Sequence, residues 1–181
     1  MRPLILQMSM FLDGCVVAPE GHGGSAFHGG DEVTDWKLRA VREAGVHIMG
    51  RNTYEEMAAH WPSSTEAYAA PMNETPKVVF SHSLQSADWD ETEIVRGDID
   101  AEITALKEQA GGPILAHGGA GFVQSLTRLG LVDEYRFLVS PVAFGAGRGP
   151  FDELRAPRQL ELVEATPFEG GAIGQVYRPA E

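Results

Sequence analysis

The amino-acid sequence predicts an α/β domain: a mostly parallel central sheet flanked by helices, with a C-terminal antiparallel hairpin. Three observations carry that prediction. Short apolar runs alternate with amphipathic stretches over most of the chain, the pattern of βαβ units. Three segments at the ends of such runs, Gly50-Arg51-Asn52-Thr53, Ser81-His82-Ser83 and His117-Gly118-Gly119-Ala120-Gly121, stand where an open parallel sheet binds its ligands. The last two runs are separated by Glu169-Gly170-Gly171 rather than by a helix, which marks a hairpin.

Taken in order, residues 4–10 form an apolar first strand that stops at Leu12-Asp13-Gly14. Residues 18–30, APEGHGGSAFHGG, hold five glycines and a proline and suit either a flexible surface loop or, more sharply, a mobile flap over a site. Thr34 is suited to cap a helix over 35–44, with Trp36, Ala40, Val41 and Ala44 on one face and Gly45 as its stop. A second strand at 46–49 leads into a short helical turn at 53–59, which Pro62, Ser63 and Ser64 end in a loop. Strands follow at 77–81 and 93–95, then a helix at about 99–110 with Ile99, Ile103, Leu106 and Ala110 on one face. Gly111-Gly112-Pro113 terminates it. A strand at 114–116, a glycine-headed helix at 119–128 and a strand at 135–139 complete the alternation. Residues 160–166 and 173–177 are the hairpin.

At 181 residues, with 43% hydrophobic and 22% charged, the chain suits a single globular domain over residues 1–181. Its formal net charge is −12, from 26 acidic and 14 basic residues, and no basic run occurs. Nucleic acid and anionic membranes are therefore disfavoured as partners. Cys15 is the only cysteine, so no intramolecular disulfide forms and a structural zinc site is disfavoured. His22, His28 and His60 lie in polar loop contexts, and no HxH or HxxxH spacing supports a metal; none is expected. MRPLILQMSMFLDG has no small-residue cleavage site, and Asp13 ends the run too early for a membrane helix. It is expected to be the first strand of a cytoplasmic protein.

Among the strand ends, Gly50 allows close backbone approach, Arg51 offers a forked donor, and Thr53 stands where a helix start gathers unpaired N–H groups. Together they suit a phosphate. The glycines of 118–121 offer amides at another helix start, although Gln124 replaces the third glycine of a Rossmann fingerprint. Asp13 and Trp36 are candidates on the substrate side; Asp13 equally suits a turn cap and Trp36 a core. Glu32 and Asp35 are candidate acids, and equally suit the N-terminal turn of a helix.

The order of MSMFLDG, the glycine-rich loop, MGRNTYE, VVFSHS, HGGAGFVQSL, VDEYRFLVSPVAFGAGRGPF and a terminal hairpin resembles the dihydrofolate reductase-like superfamily. Within it the chain is similar to the bacterial branch of the riboflavin-biosynthesis (RibD C-terminal) reductase domain, over nearly its whole length. The resemblance implies an NADPH site. Gly50, Arg51 and Thr53 then meet cofactor phosphates, Ser81 and His82 lie near the adenosine 2′-phosphate, and Gly118, Gly119, Ala120, Gly121 and Phe122 wrap the pyrophosphate. Val16 matches an aliphatic residue that touches the nicotinamide, and the Gly118-Gly119 bond resembles one that is cis. Asp35 and Glu32 bracket the place of a catalytic carboxylate, Phe11 stands where relatives often have serine, and Arg148 is a candidate contact for a substrate anion.

The implied activity is NADPH-dependent hydride transfer to a C=N or C=O bond of a small heterocycle, pterin- or pyrimidine-like. A true dihydrofolate reductase and a non-catalytic nucleotide-binding module are the alternatives. The branch usually pairs its subunits, and the apolar run from Tyr135 to Phe144, with Phe151 beyond, supports a homodimer.

Overall fold

The computed structural model describes residues 1–17 and 30–180. Apart from Gly30, the expected flap, with His22 and His28, lies outside the described residues. The strands are β1 (Leu4–Phe11), β2 (Val46–Gly50), β3 (Lys77–Phe80), β4 (Thr92–Val95), β5 (Ile114–Ala116), β6 (Glu134–Ser140), β7 (Leu160–Pro167) and β8 (Ile173–Pro179). The helices are α1 (Asp31–Glu43), α2 (Arg51–His60), α3 (Ala69–Glu74), α4 (Ile99–Glu108) and α5 (Ala120–Leu129). All eight strands join one sheet in the order β4-β3-β2-β5-β1-β6-β8-β7. The first six in that order pair in parallel, and β8 and β7 add the antiparallel hairpin.

The central strands are apolar on both faces because helices cover both, as a parallel sheet requires. On one face Leu4, Leu6, Ile48, Ile114 and Ala116 share a core with Ile103 of α4 and with Val123 and Leu126 of α5. On the other, Ile5, Met49, Val79 and Leu115 pack with Leu38 and Val41 of α1 and Met72 of α3. Tyr135, Phe137 and Val139 of β6 belong to the first core, while Leu138 packs with Val33, Trp36 and Val176. The apolar surplus of β6, offered above as a subunit face, is thus covered within the chain.

Two local expectations change. Helix α1 begins at Asp31 with Gly30 as its cap, ahead of Thr34, because Asp31 and Glu32 in its first turn complement the unpaired amides there. The segment after Pro62, expected to be loop, contains the short helix α3. Lys77 closes that helix: its Nζ donates to the carbonyls of Met72, Asn73 and Thr75 at 3.1, 2.9 and 2.8 Å. The same ammonium lies 4.6 Å from the centre of the Trp89 ring, so a side chain only 1% exposed keeps its charge compensated.

Candidate active site

Strands β3, β2 and β5 lie side by side in parallel, so their carboxyl ends open on one edge of the sheet. Helix α2 starts directly at the end of β2, with Gly50 as its cap. Helix α5 starts after His117 and Gly118, with Gly119 as its cap. Neither cap offers a side-chain hydrogen bond, which leaves first-turn amides of both helices available to a ligand. The two starts are tightly packed together, since a methyl group added at Gly50 would meet Phe122 Cβ at 3.2 Å. The Gly118-Gly119 bond is cis, as the resemblance implied.

The two helix starts face a cleft of about 860 Å³. Gly50, Arg51, Thr53, Ser81, His82, Gly119, Ala120, Gly121 and Phe122 all line it. Arg51 is exposed, 3.9 Å from Glu55 Oε1. The Ser81 hydroxyl accepts from the amides of Ser83 and Leu84 at 3.3 and 3.0 Å, so it shapes the turn that presents His82 and Ser83. Val16 is not among the lining residues and Val17 is; the Val16 amide donates to the Arg148 carbonyl at 2.8 Å. Arg148 lines this cleft rather than the pocket beyond it. Its Nη2 donates to Gln124 Oε1 at 2.7 Å, and Gln124 Nε2 donates to the Gly149 carbonyl at 2.8 Å. Gln124, which breaks the glycine fingerprint, therefore anchors an arginine at the cleft.

A second pocket of about 440 Å³ adjoins the first across Thr53 and Gly118. A methyl group added at Gly119 would meet Thr53 Oγ1 at 3.4 Å, so these residues form a thin partition. Gln7, Met8 and Ser9 of β1, Lys37 and Val41 of α1, Met57, Trp61, Tyr68 and His117 line this pocket. Behind the pocket wall His117 Nε2 lies 2.9 Å from Nδ1 of the fully buried His47, and His47 Nε2 lies 3.3 Å from the Pro71 carbonyl. Burial above all lowers the pKa of both rings, that of His47 to about 4 and that of His117 well below its ordinary value. Both are neutral near neutrality. Burial also lowers the pKa of Lys37, whose Nζ is 3.4 Å from Ser9 Oγ.

The remaining candidates lie elsewhere. Glu32 and Asp35 are exposed on α1 and line neither cavity; helical spacing turns Lys37 and Val41 toward the pocket instead. Trp36 is core, its Nε1 donating to Glu164 Oε1 at 3.2 Å. Asp13 ties the exit of β1 to the loop after β6, accepting from the amides of Phe144 and Gly145 at 2.7 and 2.8 Å. The Gly145 amide above all, with Phe144 and Cys15, holds its carboxyl below the usual range. Sequence reasoning missed Gln7, Lys37, Tyr68 and the two paired histidines, because nothing in their spacing marks contacts between residues so far apart in the chain.

Comparison with known proteins agrees with this architecture. The chain is 25% identical to the protein YyaP of Bacillus subtilis over 97% of its own length and 94% of that protein. A structure provisionally assigned to riboflavin biosynthesis, from Shewanella sp. PV-4, superposes with a TM-score of 0.81 at 18% identity, over 99% of both chains. Dihydrofolate reductase from Enterococcus faecalis, complexed with NADP(H) and RAB-propyl, superposes with a TM-score of 0.66 at 16% identity, over 99% of this chain and 97% of that one. With residues 2–173 matched by the model of the RibD C-terminal domain, the chain belongs to that family.

Proposed function

We propose that the protein is an NADPH-dependent reductase acting on a C=N or C=O bond of a small nitrogen heterocycle, pyrimidine- or pterin-like. One observation carries the reading: two helix starts capped by glycine, without side-chain caps, share a cleft that is parted from a second, smaller pocket by Thr53 and the Gly118-Gly119 bond. The donor set fits a dinucleotide. Arg51 and the first amides of α2 and α5 suit phosphates, His82 and Ser83 suit the group at the end of β3, and Phe122 offers an apolar wall, 5.0 Å from the Phe80 ring. When bound, the cofactor supplies the hydride; the protein supplies orientation and electrostatics. In the second pocket Met8, Val41, Met57 and Trp61 exclude water from the reacting ring, and Lys37 is placed to deliver a proton there. That assignment replaces Asp35 and Glu32, which line neither cavity.

The same reading has the protein act in the cytoplasm as a homodimer. Among the described residues no helix is long and apolar enough to cross a membrane, and Leu162 and Val163 on β7 are 57% and 50% exposed. The decisive experiment is a fluorescence titration with NADPH and NADH, followed by a screen of pyrimidines and pterins on the NADPH-loaded protein. The expected result is tighter binding of NADPH and its oxidation by at least one heterocycle. Binding without turnover favours the nucleotide-binding module, and absence of binding by either dinucleotide removes the reductase reading.

A further inference from the structure

The second pocket holds polar groups whose hydrogen-bonding roles are fixed by their partners. A carbonyl oxygen only accepts, so Pro71 requires the proton of His47 to sit on Nε2. Neutral His47 then has a lone pair on Nδ1, and His117 must donate to it from Nε2. Neutral His117 is left with a lone pair on its own Nδ1, and among the described residues no hydrogen bond is made by that atom. The tautomer of a pocket residue is thus set by a carbonyl on α3, two rings away.

Beside it stands Gln7. Leu6 pairs with Ala116 in the β1–β5 ladder, so Gln7 and His117 are the next neighbours on adjacent strands, and both side chains line the same pocket. Gln7 Nε2 donates to the Lys37 carbonyl at 3.0 Å, which fixes the amide orientation. Its Oε1 is buried without a hydrogen-bond partner, on a side chain only 9% exposed. An unpaired acceptor at such a position is costly in the absence of a ligand.

We propose that Gln7 and His117 are a pair of acceptors that select a ring edge bearing two adjacent N–H donors, with His47 as the positioning residue that fixes the His117 tautomer. The proposal rests on the reductase reading only in taking this pocket as the substrate half of the site. A site built from two acceptors rejects a ring whose donors are blocked, because both acceptors then stay unpaired.

The test compares isocytosine, which presents a ring N–H beside an amino N–H, with its analogue methylated at that ring nitrogen and carrying a dimethylamino group in place of the amine, by ligand-observed NMR on the full chain. Isocytosine should bind at least about tenfold more tightly than the analogue, and Gln7→Leu or His117→Phe should each remove about a tenfold preference. His47→Leu should lose the preference while His47→Gln, whose amide oxygen accepts from His117 Nε2, retains it. NMR of the histidine ring nitrogens in the unmutated protein should show His117 protonated on Nε2 and bare on Nδ1, a readout that needs no variant to fold. Equal binding of the two rings, no binding of isocytosine, or a proton on His117 Nδ1 overturns the proposal. NADPH affinity, measured separately, distinguishes the two failures: loss of NADPH binding with ring selection intact sinks the reductase reading alone.

Discussion

Arg51 illustrates how a single side chain can matter to binding and little to folding. It is exposed, and its contact with Glu55 at 3.9 Å is a surface pair of small energetic weight. Arg51→Ala should therefore weaken NADPH binding by about 1.5–3 kcal/mol, the value of a charge-assisted phosphate contact, while the urea midpoint stays nearly unchanged. Unaltered affinity in a fluorescence titration would remove the phosphate assignment. The paired histidines act the opposite way, through stability. The unfolded chain takes up a proton on His47 near its ordinary pKa of 6.5, whereas the folded protein resists until about 4. Stability is therefore complete above the first value and declines as pH falls through that window, by up to about 3 kcal/mol from His47. The shift of His117 has the same sign. Urea unfolding at about pH 7 and about pH 5 checks this, and a flat profile would contradict a neutral pair of rings in the folded protein.

At the scale of elements, the site depends on how α2 and α5 start. Gly50 ends β2 directly before α2, and a methyl group there would meet Phe122 Cβ of α5 at 3.2 Å, so that residue has to give by a few tenths of an ångström. Gly50→Ala should cost on the order of 1 kcal/mol and weaken NADPH binding, because Phe122 lines the cleft; calorimetry of folding and of binding tests both effects. Much of this architecture was legible in advance. The ends of β2, β3 and β5 are marked by glycine or serine after short apolar runs, and the hairpin by Glu169-Gly170-Gly171, because backbone turns leave local chemical signatures. Helix α3 leaves none: it is six residues long, includes Pro71, and is closed by Lys77, so packing rather than propensity forms it. The His47–His117 contact and the unpaired Gln7 oxygen arise only when β1, β2 and β5 come together. Trp36 and Asp13 looked equally suited to a site or a scaffold, and burial beside Val176 and amides across the loop decide for scaffold.

For the whole molecule, the proposed dimer would have to rest on surfaces other than β6, whose apolar residues are enclosed by two cores. The edge strand β7 exposes Leu162 and Val163, and adjacent exposed apolar side chains on a sheet edge invite a partner. Sedimentation equilibrium at micromolar concentration should give twice the chain mass, falling toward one chain in Leu162→Lys; a single-chain mass throughout for the unmutated protein rules the dimer out. The lysine that closes α3 has a different consequence, for chemical labelling. The chain has three lysines, and Lys77 alone is buried with all three ammonium protons directed at carbonyls. An amine-reactive reagent should modify Lys37 and the N-terminus in the native protein and reach Lys77 only when the α3 region opens. The rate of Lys77 acylation, followed by peptide mass spectrometry, thereby becomes an intrinsic clock for that opening, and prompt modification under native conditions would show that the ammonium is not sealed.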